Sequence, residues 1–182
     1  MRRTPAQRRT IAAALELFAD HGVSGTSLQM IADALGVTKA AVYHQFNTKN
    51  EIVLAVCEDQ FADLEAAVET AEQMRPREAA RAFLLEHVID VAIARRRWVR
   101  ALSNDPVMVR LLAEHEPLQS LVVRLYRLIL DDQAGTQGIV SVAVLSAAIG
   151  ATVVHPLVAD LDDATLRREL LIVARRIFDL AK

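Results

Sequence analysis

The side chains best suited to binding another molecule lie in a short segment, residues 38–46, that follows a glycine. Val42 and Phe46 are four residues apart, so on a helix they share one face and can pack inward. The side chains away from that face, or at its edge, are Lys39, Ala40, Ala41, Tyr43 and His44. Alanine permits close approach and can contact a thymine methyl group, whereas lysine, tyrosine and histidine can reach phosphates or base edges. This composition predicts a helix that lies against nucleic acid.

Two further helices and a tight turn are predicted to hold this segment in place. Thr38 can cap it, because a threonine hydroxyl accepts a hydrogen bond from a free N–H of the first turn. The preceding helix is expected to begin after Ser27 and to end at Gly36. An amphipathic helix over residues 6–20 comes before it and is expected to end with Gly22 in a left-handed conformation. This pattern predicts a helix-turn-helix braced by a longer first helix.

Residues 26–52 resemble the signature of the tetracycline-repressor (TetR) family of transcriptional regulators. The matching residues, in fixed spacing, are Ile31-Ala32, Leu35-Gly36-Val37, Tyr43, Phe46 and Lys49. The resemblance implies an all-α fold, with a three-helix helix-turn-helix DNA-binding domain over residues 1–48 and a helical ligand-binding and dimerisation domain over residues 49–182. The second part of the chain matches the family only in length and helical character.

The resemblance also implies roles for individual residues. Those expected to contact phosphates are Ser27, Thr38, Tyr43, His44 and Lys49. Those expected to face base edges in the major groove are Gln29, Lys39, Ala40 and Tyr43. Arg2 and Arg3 could reach a minor groove as an arm. Lys49 has a physical reason besides, because Thr48 and Glu51 form a capping-box pattern and the first turn of a helix attracts a phosphate.

Structural alternatives stay open for several of these residues. Tyr43 could be a half-buried packing residue, and His44 could be an ordinary exposed histidine on a helix. Gln29 is equally compatible with a contact to DNA and with a solvated surface. Gln45 occupies a position that is often histidine in the family, so its role is open.

Composition limits the class of protein. The chain has 182 residues, of which 53% are hydrophobic and 24% charged, which is typical of a folded globular protein. The net charge is −2, but residues 1–50 carry six Lys or Arg against three Asp or Glu. A basic first part on an acidic remainder fits a DNA-binding domain joined to one that binds no polyanion. A single cysteine, Cys57, excludes a disulfide framework and favours a cytoplasmic location.

The second part is predicted to consist of amphipathic helices, with polar residues on otherwise apolar stripes. These residues are candidates for lining an effector pocket: His87, Trp98, Tyr126, Thr152 and His155. A satisfied core residue is the alternative for each. The many Ala, Val and Leu neighbours favour a small, largely apolar effector.

Residues 133–159 contain no Asp, Glu, Lys or Arg and are predicted to form a buried helix. A membrane span is rejected, because polar residues and Pro156 interrupt the segment and acidic residues flank both ends. The last helix is expected over residues 163–181, with one apolar stripe opposite its arginines: Leu166, Leu170, Val173, Ile177 and Leu180. Family resemblance implies that these last two helices pair with a second copy as a four-helix bundle.

The leading hypothesis is a homodimeric, sequence-specific transcriptional regulator, a repressor released from a palindromic operator in double-stranded DNA by a small-molecule effector. The alternative is a DNA-binding protein of the same fold that marks sites or recruits partners without regulating transcription. An enzyme is disfavoured, since the five histidines show no metal-ligand spacing and no glycine-rich phosphate loop is present. No cofactor is predicted.

Overall fold

All regular secondary structure is helical in the part of the chain that the computed structural model describes, residues 3–130 and 135–179. In chain order the helices are α1 (Pro5–Gly25), α2 (Leu28–Leu35), α3 (Lys39–Tyr43), α4 (Lys49–Gln73), α5 (Arg77–Ala94), α6 (Arg96–Asn104), α7 (Pro106–Glu114), α8 (Glu116–Ile129), α9 (Thr136–Val153) and α10 (Asp163–Asp179). A 3-10 turn, Pro156–Val158, separates the last two. The all-α prediction is confirmed.

These helices form two compact units. The first contains the residues up to Phe61 together with Arg100–His115, and the second contains Ala62–Val99 and the residues from Glu116 onward. The sequence placed a single boundary after residue 48. The contacts divide the chain elsewhere because α4 runs unbroken from Lys49 to Gln73, and its first turns supply buried residues such as Ile52 and Val56 to the first unit.

In the first unit, α1 packs against α2 and α7, and α2 packs against α3. The buried apolar side chains of this unit include Ile11, Phe18, Val23, Ile31, Val42, Ile52, Val56 and Met108. Burying a side chain of this size contributes about 1.5–3 kcal/mol. This core orients α2 and α3, so the short α3 does not depend on its own helix propensity.

The break in α1 differs from the sequence prediction. Gly22 has a positive φ of 72°, as expected, but its ψ of 164° lies outside the left-handed helical region. Helical hydrogen bonding resumes after Gly22, and α1 ends at Gly25. Thr26 follows as the cap, and its hydroxyl donates to the Gly22 carbonyl oxygen at 2.8 Å.

Cys57 lies on the inner side of α4 and is fully buried. Desolvation, with the nearby Glu58 charge, raises the pKa of its thiol to about 12. Because the thiolate is the reactive species, the side chain is an unreactive thiol at neutral pH. Cys57 is therefore a small core residue.

In the second unit, α5 packs against α8, α9 and α10. Its core joins apolar side chains from three helices, namely Leu85, Ile89, Ala92 and Ile93 of α5, Leu145, Ile149 and Val153 of α9, and Leu166, Leu170, Leu171 and Ala174 of α10. At the edge of this core the Arg167 guanidinium donates to both carboxylate oxygens of Asp90. The pair links α10 to α5 at the protein surface.

The apolar segment 133–159 is not the uninterrupted buried helix that the sequence predicted. Residues 133 and 134 lie outside the described residues, α9 ends at Val153, and Pro156 begins the 3-10 turn. One side of α9 packs on the core, while Ile139, Val140 and Val144 are each more than half exposed. On α10, Val173 of the predicted apolar stripe is also 52% exposed in the single chain.

By length and composition alone, α9 could cross a membrane, with a mean hydropathy of 1.6 and 22% of its residues buried. A core helix of a soluble protein passes the same test, so this single helix is weak evidence for a membrane span. An apolar helix face can equally be covered by protein.

Candidate nucleic-acid interface and effector cavity

The turn between α2 and α3 is fixed by Gly36. Its φ and ψ of 64° and 31° are left-handed, and its N–H donates to the carbonyl oxygens of Ala32 and Asp33. The Val37 N–H then donates to the Ala32 carbonyl oxygen at 3.0 Å, which completes the end of α2. These bonds reverse the chain within two residues and set the direction in which α3 begins.

Capping and two apolar anchors hold α3. The Thr38 hydroxyl accepts a hydrogen bond from the Ala41 N–H at 3.2 Å, as predicted for an N-cap. Val42 and Phe46 are both buried. The helix ends at Tyr43, but the Phe46 N–H still donates to the Val42 carbonyl oxygen at 3.1 Å. The predicted segment 38–46 is therefore a short helix followed by a turn.

The opposite side of α3 faces solvent. Lys39, Ala40, Tyr43 and His44 are all exposed, as the helical pattern predicted. The Lys39 Nζ atom lies 5.8 Å from the centroid of the Tyr43 ring, within the range of a cation–π contact. This contact keeps a positive charge and an aromatic hydroxyl side by side on the exposed face.

Two more of the predicted contacts, Ser27 and Gln29, lie at the start of α2. Ser27 is its N-cap, and its hydroxyl accepts from the Met30 N–H at 3.2 Å. Gln29 is exposed, and its side-chain amide donates to Asp33 Oδ1 at 2.7 Å. Because a carboxylate repels phosphate, this environment suits a contact from Gln29 to a base edge better than one to the backbone of DNA.

Lys49 has a structural role that the sequence did not reveal. Its Nζ atom donates to the carbonyl oxygens of Val23 and Thr26, both at 3.0 Å. These bonds use two of the three ammonium donors and tie the first residue of α4 to the connection between α1 and α2. The expected phosphate contact stays a prediction, with one donor remaining for it.

At the start of α4, one bond of the predicted capping box forms and the other has a different donor. The Thr48 hydroxyl accepts from the Glu51 N–H at 3.1 Å, as predicted. The Glu51 carboxylate instead reaches one residue further back and accepts from the Asn47 N–H at 2.9 Å. Glu51 thus adds a negative charge at the helix end where a phosphate was expected.

Near the N-terminus, Arg3 and Gln45 make contacts that the sequence left open. Arg3 forms an ion pair with Glu58 of α4, so in this conformation it does not extend as a free arm. Arg2 lies outside the described residues. Gln45 accepts from the Gln7 side-chain amide through its backbone carbonyl oxygen at 3.4 Å. It thereby braces the first turn of α1.

The five residues proposed as effector ligands occupy different surroundings in the second unit. The half-buried His87 ring lies 5.0 Å from the Phe83 ring centroid, and Thr152 is half-buried on α9. Trp98 is 3% exposed, and its Nε1 atom has no hydrogen-bond partner among the described residues. The Tyr126 hydroxyl lies 3.3 Å from Ser146 Oγ, whereas His155 is exposed and its Nδ1 accepts from the Leu157 N–H. Their ligand role stays a prediction.

A surface cavity of about 690 Å³ is lined by other residues, where the end of α4 and the start of α5 meet α8 and the start of α9. Its charged lining residues are Glu72, Arg75, Arg77, Arg124 and Arg127. Its apolar lining residues are Ala71, Met74, Ala80, Leu128, Leu130 and Ile139. The sequence did not single out these arginines. One signal was present, since Arg77 lies in the first turn of a helix, where a cation is unfavourable for the helix dipole.

An ion pair with two parallel hydrogen bonds lies on one wall of this cavity. Arg124 Nε and Nη2 donate to the two Glu72 carboxylate oxygens, each at 2.8 Å. These bonds are the main cause of a lowered Glu72 pKa and a raised Arg124 pKa, so both groups stay charged around neutral pH. The other contacts hold helix ends together, because Arg77 donates to the Arg127 and Leu130 carbonyl oxygens and Arg75 donates to those of Glu72 and Met74.

Comparison with known proteins identifies the helix-turn-helix. Residues 11–56 match the family profile described as bacterial regulatory proteins, tetR family. Over 50 residues the chain is 50% identical to the HTH-type transcriptional regulator SrpR of Pseudomonas putida, which is 28% of this chain and 24% of that protein. The predicted resemblance of this part of the chain to the TetR family is thus confirmed.

The sequence similarity to curated proteins covers less than half of this chain. The HTH-type transcriptional regulator AcrR of Shigella flexneri is 33% identical over 87 residues, or 46% of this chain and 40% of that protein. The matches to these two relatives thus span less than half of their length. The fold extends further, because a TetR-like transcriptional regulator from Rhodococcus sp. RHA1 matches with a TM-score of 0.73 over 98% of both chains at 20% identity.

Proposed function

We propose that this chain is a cytoplasmic, sequence-specific DNA-binding transcriptional regulator of the TetR family that places α3 in the major groove. The observation that carries the proposal is the exposed face formed by Lys39, Ala40, Tyr43 and His44, on a helix whose other side is anchored by Val42 and Phe46. The face is narrow and free of acidic side chains. It therefore admits a close approach to base edges, while Ser27 and Thr38 at two helix starts supply hydroxyl groups for phosphates.

The proposed regulator is a homodimer through α9 and α10. Support comes from the exposed apolar residues Val140, Val144 and Val173, next to small residues such as Ala147 that allow close helix packing. A second copy would cover these faces as a four-helix bundle. Two-fold symmetry would then present two α3 helices to half-sites about 34–36 Å apart, which calls for a palindromic operator.

Repression in this proposal is relieved by a small molecule bound to the second unit. An effector changes DNA affinity only as far as it binds the DNA-competent and DNA-incompetent conformations differently. The cavity beside Glu72 and Arg124 is the candidate effector site. Release from the operator would thus depend on an effect of this cavity on the spacing of the two α3 helices.

The decisive experiment selects binding sites from random double-stranded DNA with the purified chain and compares wild type with Tyr43→Ala. We expect a palindrome to be enriched, and we expect Tyr43→Ala to lose its preference for that palindrome. The thermal unfolding midpoint should stay near the wild-type value, because Tyr43 is 44% exposed. No enrichment of any site, or full specificity in the variant, would refute the placement of α3 in the groove.

Tyr126→Ala is the matched control. It removes the other tyrosine, which lies on α8 in the second unit, far along the chain from α3. This variant should retain the selected sequence. If both tyrosine variants lost it, a general loss of folding or assembly would be the cause.

A further inference from the structure

We propose that the cavity beside Glu72 and Arg124 binds an amphiphilic organic anion, with a carboxylate-type head held by arginines and an apolar tail along the cavity wall. The inference rests on the proposed function, because it names the chemical class of the effector. It adds a charged head group to the largely apolar effector that the sequence favoured. The reason is that four arginines and one glutamate line this cavity.

The charge of the lining selects an anion. Among the described lining residues the arginines outnumber the acidic residues by four to one. Asp131 and Asp132 follow in the sequence and lie outside the described residues. The start of α5, where Arg77 and Ala80 line the cavity, also places the positive end of an 18-residue helix at this site. A cationic head group would meet repulsion from both sources.

Arg75, Arg124 and Arg127 retain donors for such a head group. A guanidinium has five N–H donors in a planar fork that matches a carboxylate. Arg124 uses two of them for Glu72, and Arg75 uses one nitrogen for two carbonyl oxygens. The Arg127 guanidinium is exposed and has no ion-pair partner within residues 3–130 and 135–179. Arg127 and the remaining Arg124 donors are the expected clamp.

Glu72 is expected to weaken the binding of an anion by Arg124. Its carboxylate already occupies the fork of Arg124, so an incoming carboxylate competes with it for the same cation. Removing the Glu72 charge should therefore strengthen anion binding. If the pair had only a structural role, its loss would destabilise the second unit and would not strengthen anion binding.

The apolar part of the lining fits a hydrocarbon tail. Met74, Leu128 and Ile139 come from three different helix ends and, with smaller alanines, form an apolar part of the cavity wall. The volume of about 690 Å³ lies within the usual range for small-molecule sites. A short inorganic anion would leave this wall in contact with water, so the tail is part of the recognition.

The test measures binding of three chain-matched probes to the full-length protein by titration calorimetry below their micelle concentrations: decanoate, decanol and decyltrimethylammonium. We expect decanoate to bind at one site per chain, and to bind at least about ten-fold more tightly than the other two probes, as expected when a charged hydrogen bond is lost. Equal binding of decanol and decanoate, or no binding of decanoate, would overturn the proposal.

Variants assign the effect to this cavity. Arg127→Ala should weaken decanoate binding by roughly ten-fold, and Glu72→Gln should strengthen it several-fold. Arg175→Ala is the control, because Arg175 is an exposed arginine of the same unit that pairs with Glu86. Weaker binding in a folded Glu72→Gln protein, or equal weakening in Arg127→Ala and Arg175→Ala, would contradict the assignment. Arg127 is exposed, so its variant keeps the test valid if Glu72→Gln fails to fold.

Operator binding is measured separately, without and with decanoate. Decanoate binding without any preference for a DNA sequence would refute the proposed function and leave this site standing. Sequence-specific DNA binding in a protein that takes up no decanoate would refute this inference alone.

Discussion

Asp105 and Ser24 join two distant parts of the chain through paired hydrogen bonds. The Ser24 N–H donates to Asp105 Oδ2 at 2.7 Å, and the Ser24 hydroxyl donates to Oδ1 at 3.0 Å. The same carboxylate caps α7 by accepting from the Val107 N–H at 2.9 Å. Asp105 is only 6% exposed, so one buried carboxylate fixes both the end of α1 and the start of α7 within the first unit.

Replacing Asp105 by alanine should therefore destabilise the first unit. The change leaves the Ser24 and Val107 N–H donors without their acceptor, and a lost hydrogen bond to a charged group costs about 1.5–3 kcal/mol. Urea denaturation at neutral pH measures this difference in the free energy of unfolding. Asp59→Ala is the control, because Asp59 is exposed and its ion pair with Arg3 is long, at 3.9 Å. Equal losses in the two variants would contradict a special role for Asp105.

The Asp105 carboxylate should also make the free energy of unfolding depend on pH. Desolvation raises the pKa of Asp105, but the hydrogen bonds from Ser24, Val107 and Met108 outweigh it, so the folded-state pKa lies below the ordinary value of 3.8. A lowered folded pKa gives stability that is present above the unfolded pKa and is lost as pH falls through the folded one. Wild type should therefore lose more stability than Asp105→Ala as the pH is lowered from about 5 through this range.

Two glycines of the first unit should respond differently to alanine. Gly36 is in the left-handed region, and a Cβ added there would have no other atom within 4 Å, so Gly36→Ala should cost only about 1 kcal/mol of backbone strain. Gly22 has φ 72° and ψ 164°, a region that is essentially restricted to glycine, and an added Cβ would lie 3.4 Å from Asp105 Oδ2. Gly22→Ala should destabilise more than Gly36→Ala. Thermal unfolding of both variants tests the order, and the reverse order would contradict it.

The parts of the site that follow from neighbouring residues were readable in the sequence. Ser27 and Thr38 cap their helices and Gly36 ends α2, because each of these features depends on a hydroxyl or a backbone angle within four residues. The exposed face of α3 follows from the helical period once Val42 and Phe46 are taken as the inner face. The all-α fold followed from the same local periodicities.

Features that depend on distant residues were not readable. Lys49 binds carbonyl oxygens more than twenty residues away, and the four arginines of the cavity come from two regions of the chain. A stripe of apolar residues on a helix also does not indicate whether the core or a partner covers it. Val173 fits the apolar stripe of α10, yet the single chain leaves it half exposed, since apolar residues for a partner and for the core follow the same period.

Two lysines of the proposed interface should separate a structural role from a phosphate contact. Lys49→Met keeps the apolar stem but removes both carbonyl contacts, so the free energy of unfolding should fall by about 1–3 kcal/mol. Lys39→Met should leave stability within about 0.5 kcal/mol, because Lys39 is exposed. Each variant should reduce the slope of log affinity against log salt for DNA by about one, if each lysine neutralises one phosphate. An unchanged slope in Lys49→Met would assign that residue to folding alone.

The exposed face of α9 gives the last prediction. Val144 is 54% exposed in the single chain, and Val144→Glu would bury a charge in the proposed bundle between two copies. Sedimentation velocity should show a shift from dimer to monomer, with helix content preserved in the circular dichroism spectrum. Affinity for a palindrome should fall toward that for a single half-site. In a dimer, binding of one α3 helix raises the effective concentration of the other at the second half-site. Ala82→Glu is the matched control, since Ala82 is exposed on α5 of the same unit and should keep the dimer. A Val144→Glu protein that stays dimeric would move the contact between copies away from α9.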